Sequence, residues 1–117
     1  MYLMVMKTND DITTNHYKNK RSARENFISE HLHGDGMIVD GFIIDKGHKN
    51  GLEVHSITDK GIIIIHNLNS GKLITKLLAR PWQIIRYYKI TGRQPPAEYE
   101  EILRLAELHK QLGYNEI

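Results

Sequence analysis

The sequence predicts an α+β domain: an N-terminal helix, a three- to four-stranded antiparallel β-meander, and a C-terminal helix packed on the sheet. Three observations predict it. Short β-branched runs alternate with Gly-, Asn- and Asp-rich turns between residues 37 and 79. The segment 21–32 carries Ala23, Phe27, Ile28 and Leu32 near helical spacing. Residues 97–112 carry Ile102, Leu105, Ala106, His109 and Leu112 as one apolar stripe behind Pro95 and Pro96.

At 117 residues the chain is one domain. Residues 1–20 read as a mobile or extended N-terminal segment, and 21–117 as the folded unit. The run TNDDITTNHYKNK (8–20) is polar and rich in Asn and Thr. The helix over 21–32 stops at Gly34 and Gly36. MIVDGFIID (37–45) is a strand in which Asp40-Gly41 marks a bulge or bend. KGHKNG (46–51) is a turn. LEVHSIT (52–58) alternates Leu52, Val54 and Ser56 with Glu53, His55 and Ile57. Asp59-Lys60-Gly61 is a tight turn into IIIIH (62–66), which is apolar on both faces and so central. Asn69-Ser70-Gly71 turns the chain into LITKLLA (73–79). Pro81 ends that strand or caps a short helix containing Trp82, Ile84 and Ile85. The last helix is capped by Gly113.

The chain has no cysteine, which excludes disulfides, thiolate nucleophiles and zinc knuckles. MYLMVMK lacks a positive leader and a small-residue cleavage site, so it is not read as a signal peptide. No run approaches the roughly 18 apolar residues that span a bilayer. The expected location is the cytoplasm, with no membrane partner and no cofactor.

Charge is unevenly placed. Between Lys60 and Ala97 there are seven basic side chains and no Asp or Glu, although the chain as a whole is only +2. Trp82, Tyr87 and Tyr88 fall in the second half of that block. Cations beside π-faces suit a phosphate-bearing partner, and Lys72, Lys76, Arg86, Lys89, Trp82 and Tyr87 are the candidate nucleic-acid contacts. A solvated sheet face is the plainer alternative.

The sequence holds seven histidines. His31 and His33 with Asp35 lack a third nearby ligand, so they read as a solvated helix end and no metal site is assigned. His109 reads as a core histidine. His55 shares a strand face with Glu53, and the Asp59–Gly61 turn is expected to bring the Ile64 and His66 region opposite them. Thr75 lies in the next strand and Arg80 at its end. A carboxylate, an imidazole, a hydroxyl and a guanidinium on one sheet suit metal-free cleavage of an RNA phosphodiester. His48, in the Lys-Gly-His-Lys-Asn-Gly turn, is either an exposed acid or base or a turn residue. No P-loop, dinucleotide fingerprint or GxSxG elbow occurs.

Residues 51–88, GLEVHSITDKGIIIIHNLNSGKLITKLLARPWQIIRYY, resemble the core of small phage-borne domains of the barnase–EndoU–colicin–RelE-like (BECR) ribonuclease superfamily. The likeness rests on LEVHSIT, the DKGIIII hairpin, GKLITKLLARP and the basic QIIRYY tail. It implies a metal-independent endoribonuclease in which His55 is acid or base, Thr75 contacts substrate and Arg80 holds phosphate, with Glu53 and His48 as weaker nominations. Its partner is then tRNA or another structured RNA. The competing reading is a non-catalytic phage accessory module that binds an acidic host protein through its basic, aromatic face. A third is a homodimer in which the IIII strand is an edge completed by a second chain.

Overall fold

The structure is a computed structural model, described over residues 2–5, 26, 28–29, 32–47 and 51–111. Five strands form one sheet in the order β1-β2-β3-β4-β5: β1 (Tyr2–Val5), β2 (Ile38–Asp45), β3 (Leu52–Thr58), β4 (Ile62–Asn67) and β5 (Leu73–Leu78). Two helices follow, α1 (Pro81–Thr91) and α2 (Tyr99–Gln111). The fold is α+β, as predicted. The antiparallel meander is β2 to β5, and each strand lies within a residue or so of its predicted limits. Tyr2–Val5, in the segment expected to be mobile or extended, adds a parallel edge strand beside β2. The predicted helix over 21–32 lies mostly outside the described residues.

Turn chemistry sets the meander. Asp59 and Lys60 turn the chain, Gly61 takes φ 76°, and its N–H bonds the Thr58 carbonyl at 3.1 Å. Ile57 then pairs with Ile63. The expected irregularity near Asp40 is a register shift between Ile38 and Asp40 in the β2–β3 pairing. The run Ile62–Ile65 is buried on both faces because the two helices cover Ile63 and Ile65 while Ile28 and Leu32 cover Ile62 and Ile64, and β4 itself lies between β3 and β5. It is therefore not an edge for a second chain to complete. Among the described residues, the edges are β1 and β5.

Both helices cover one sheet face. Ile84, Tyr87 and Tyr88 of α1 and Ile102 and Ala106 of α2 pack on Phe42, Ile44, Ile57, Ile63 and Ile65. Each fully buried Phe or Ile among them contributes about 1.5–3 kcal/mol of transfer free energy. On the opposite face, Ile28 and Leu32 cover Ile62, Ile64 and Leu78. Pro81 opens α1 at a position where no N–H is needed, and the Gln83 side chain accepts the Arg80 N–H at 2.8 Å. Gly92, left-handed at φ 68°, closes α1 on the Tyr88 carbonyl at 2.9 Å. Among the described residues, no helix is long and apolar enough to cross a membrane.

α2 is seated against the β3–β4 turn. A Cβ built on Gly61 would stand 3.2 Å from the His109 ring and 3.4 Å from the Leu105 Cβ. His109 is the predicted core histidine and is 3 % exposed. Its burial lowers its pKa, an effect the Ala79 backbone partly opposes.

Two stability predictions follow from this seating. Gly71 also has positive φ, but a Cβ there meets nothing. Gly71→Ala should therefore cost about 1 kcal/mol of backbone strain. Gly61→Ala carries the same strain and also sets its Cβ 3.2 Å from the His109 ring, which must give by a few tenths of an ångström, so its loss in urea unfolding should be larger. The second concerns acid. An unfolded imidazole titrates near 6.5, above the lowered value of folded His109, so the unfolded chain takes up the proton first as pH falls. The His109 contribution is complete above that value and is lost as pH drops from it toward the folded pKa. The melting temperature should fall as the pH drops below about 6.5, and His109→Gln should flatten the profile. An unchanged slope in the variant would assign the acid sensitivity elsewhere.

Candidate functional site

β3 places Glu53, His55 and Ile57 on the helix-covered face, because alternate residues of a strand share a face. Across the sheet, His55 lies beside Phe42 of β2 and Ile65 of β4. This corrects the expected β3–β4 register by one residue. Glu53 opposes Asn67, and His66 opposes Val54. Because the Asp59–Gly61 turn puts Ile57 across from Ile63, His66 falls on the other face from His55.

The imidazole of His55 is held at both nitrogens. Nε2 lies 2.9 Å from Glu53 Oε1, and Nδ1 lies 2.5 Å from the Tyr87 hydroxyl. In the tautomer that satisfies both contacts, Nε2 donates to the Glu53 carboxylate and the Tyr87 O–H donates to Nδ1. The Tyr87 pKa is raised, first by burial and then by the Glu53 charge, which keeps that proton on the phenol. The ring of Tyr87 stacks on Phe42 with centroids 4.8 Å apart. Glu53, His55 and Tyr87 are 4 %, 6 % and 8 % exposed. A carboxylate–imidazole–phenol chain has the composition of a proton relay. A general base, however, must come within about 3 Å of the proton it takes, and α1 lies over this one.

The remaining nominated residues are dispersed. Thr75 shares the face of His55 but stands two strands away, roughly 10 Å at sheet spacing, and its buried Oγ1 has no hydrogen-bond partner among the described residues. Arg80 is the half-buried N-cap of α1. His48 lies outside the described residues. The structure does not gather His55, Thr75 and Arg80 on an open basic surface. Among the described residues, no group of three His, Asp or Glu side chains is arranged to hold a metal ion.

The candidate nucleic-acid contacts also divide. Lys72 is exposed at the β4–β5 hairpin. Lys76 pairs with Ile64, away from the helices, and its Nζ meets Asp35 Oδ2 at 2.9 Å. Tyr87 is corrected from a stacking surface to an interior side chain, because both its ring and its hydroxyl are engaged inside. Trp82, Arg86 and Lys89 stay together on the outward face of α1.

Two features were missed in the sequence. Ile85 and Ile90 flank Trp82, Arg86 and Lys89, so the outward face of α1 is apolar as well as basic; exposures are 54 % for Trp82, 43 % for Ile85 and 50 % for Ile90. The 82, 85, 86, 89, 90 spacing carries that signal once a helix is assigned. The second is a carboxylate centre at the β2 bulge. Asp40 accepts hydrogen bonds from Arg93 and the Gly41 N–H on Oδ1, and from Tyr88 on Oδ2. The Arg93 guanidinium also sits 5.5 Å from the Phe42 ring centroid. No sequence motif joins residues so far apart.

No family model matches the chain, and no match was found among curated proteins or solved structures.

The burial of His55 reverses what a surface catalyst predicts for its removal. His55→Ala strands the Glu53 carboxylate and the Tyr87 hydroxyl, and should cost about 3–5 kcal/mol with a clear fall in melting temperature. Tyr87→Phe keeps the stack on Phe42 and loses one bond, so about 1–2 kcal/mol is expected. Calorimetry on both variants checks the order; a His55→Ala protein as stable as wild type would refute the buried chain.

Proposed function

We propose that the chain is a non-catalytic binding module, and that the outer face of α1 is where it meets a protein partner with an acidic, partly apolar surface. The observation that carries this reading is the exposure of Trp82, Ile85 and Ile90 on one helix face together with Arg86 and Lys89. Exposed apolar groups clustered with cations have a purpose that scattered ones do not. Trp and Arg are the side chains that most often dominate protein interfaces, and isoleucine adds apolar area that a phosphate backbone cannot use. An RNA-cleaving role in the BECR manner needs an accessible His55, whereas the Glu53–His55–Tyr87 chain lies inside. RNA binding without cleavage is weakened by the ion pairs that occupy Lys76 and Arg93.

The protein contains one tryptophan, so Trp82 emission reports directly on this face. A tagged copy of the chain should capture a protein, and that protein, purified, should shift Trp82 emission to the blue. Arg86→Glu with Lys89→Glu should weaken the complex at least about tenfold while the melting temperature holds. Cleavage of tRNA by the purified chain, or a Trp82 response to RNA that fades steeply with salt, would overturn the reading.

A further inference from the structure

We infer that the surface which α1 docks against is α2 of a second copy of this chain; the inference rests on the binding-module reading above. α1 and α2 pack on the same sheet face through Ile84, Tyr87 and Tyr88 and through Ile102 and Ala106. Their unburied sides therefore look the same way, away from the sheet. The outer side of α1 carries Arg86 and Lys89 and no acid. The outer side of α2 carries exposed Glu100 and Glu107, with Leu108 39 % exposed beside them. Glu101 and Arg104 pair with each other at i,i+3, and Lys110 is exposed in the last turn, so the exposed residues of α2 carry three carboxylates against two cations and are acidic by one charge. The pairing holds Glu101 below the usual carboxylate range.

A two-fold axis lying in this outer surface, between the two helices, sets α1 of each copy over α2 of the other. Both halves of the contact are then the same, as an isologous interface requires. Arg86 and Lys89 meet Glu100 and Glu107 twice over, and Trp82, Ile85 and Ile90 lose their water against Leu108 and its neighbours. The apolar contact supplies most of the attraction. The charges fix which helix faces which, and they weaken the dimer as salt rises.

The test uses charge reversal and mixing. Wild-type chain should sediment as a dimer at micromolar concentration, and dilution should shift Trp82 emission to the red. Arg86→Glu/Lys89→Glu and Glu100→Lys/Glu107→Lys should each raise the dimer Kd at least about tenfold, with unchanged melting temperatures because the residues are exposed. Where the Glu100 change weakens the start of α2, Glu107→Lys alone serves. An equimolar mixture of the two reversed proteins should dimerise again, because each α1–α2 contact then joins opposite charges. A wild-type monomer throughout the concentration range, or a mixture that stays monomeric, would overturn the inference. Capture of a different protein by a monomeric chain would overturn the dimer and leave the binding-module reading standing.

Discussion

Tyr87 sets the position of α1, and most of what the surface can do depends on that position. Its ring lies against Phe42 of β2 and its hydroxyl closes on His55 of β3, so one side chain ties the helix to two adjacent strands. Tyr88, the next residue, reaches Asp40 at the β2 bulge, where Arg93 also arrives from just beyond the helix. The helix is thus held along its inner side and again near its C-terminal end. With its rotation fixed, the residues that face water are fixed as well.

The three-dimensional arrangement divides the acid-free stretch of sequence into unlike parts. Lys76 is turned to the opposite face and meets Asp35; Arg93 is drawn to Asp40; the Lys60 ammonium contacts the Leu32 carbonyl. These cations are matched by groups from before residue 60, which a linear charge count cannot show. Arg86 and Lys89 remain on the outer side of α1. A block that looks like a polyanion stripe in sequence is, in the fold, a few structural anchors and one short basic helix face.

The meander was legible because turn and strand signals agree: Gly61 at positive φ follows Asp59-Lys60, and β-branched residues fill the runs on either side. Register was less legible. The turn had to be placed to within one residue for His66 to be assigned a face, and sequence alone does not place it so closely. The histidine-bearing face was read correctly as carrying Glu53 and His55, but not as covered, because the cover comes from residue 87, a contact 32 positions away. β1 was missed since four apolar residues at the start of a chain have no turn or partner signal nearby. Trp82 was singled out by its type, while Ile85 and Ile90 were not, because Pro81 left the segment open to either helix or strand end.

The burial of His55 and the exposure of Trp82 are one fact about helical geometry. Residues 84, 87 and 88 are the side of α1 that goes in, so 82, 85, 86, 89 and 90 must come out. Opening the imidazole to a substrate would require lifting α1. That would break the Tyr87–His55 and Tyr88–Asp40 hydrogen bonds and the stack on Phe42 together, and would carry the outer face away from its place beside α2. The hydrogen bonds alone contribute about 1 kcal/mol each, or more where a charged group accepts, before any apolar area is counted. An accessible imidazole at His55 and a fixed outer face on α1 are therefore competing states of one helix, and the contacts made by Tyr87 and Tyr88 favour the fixed face.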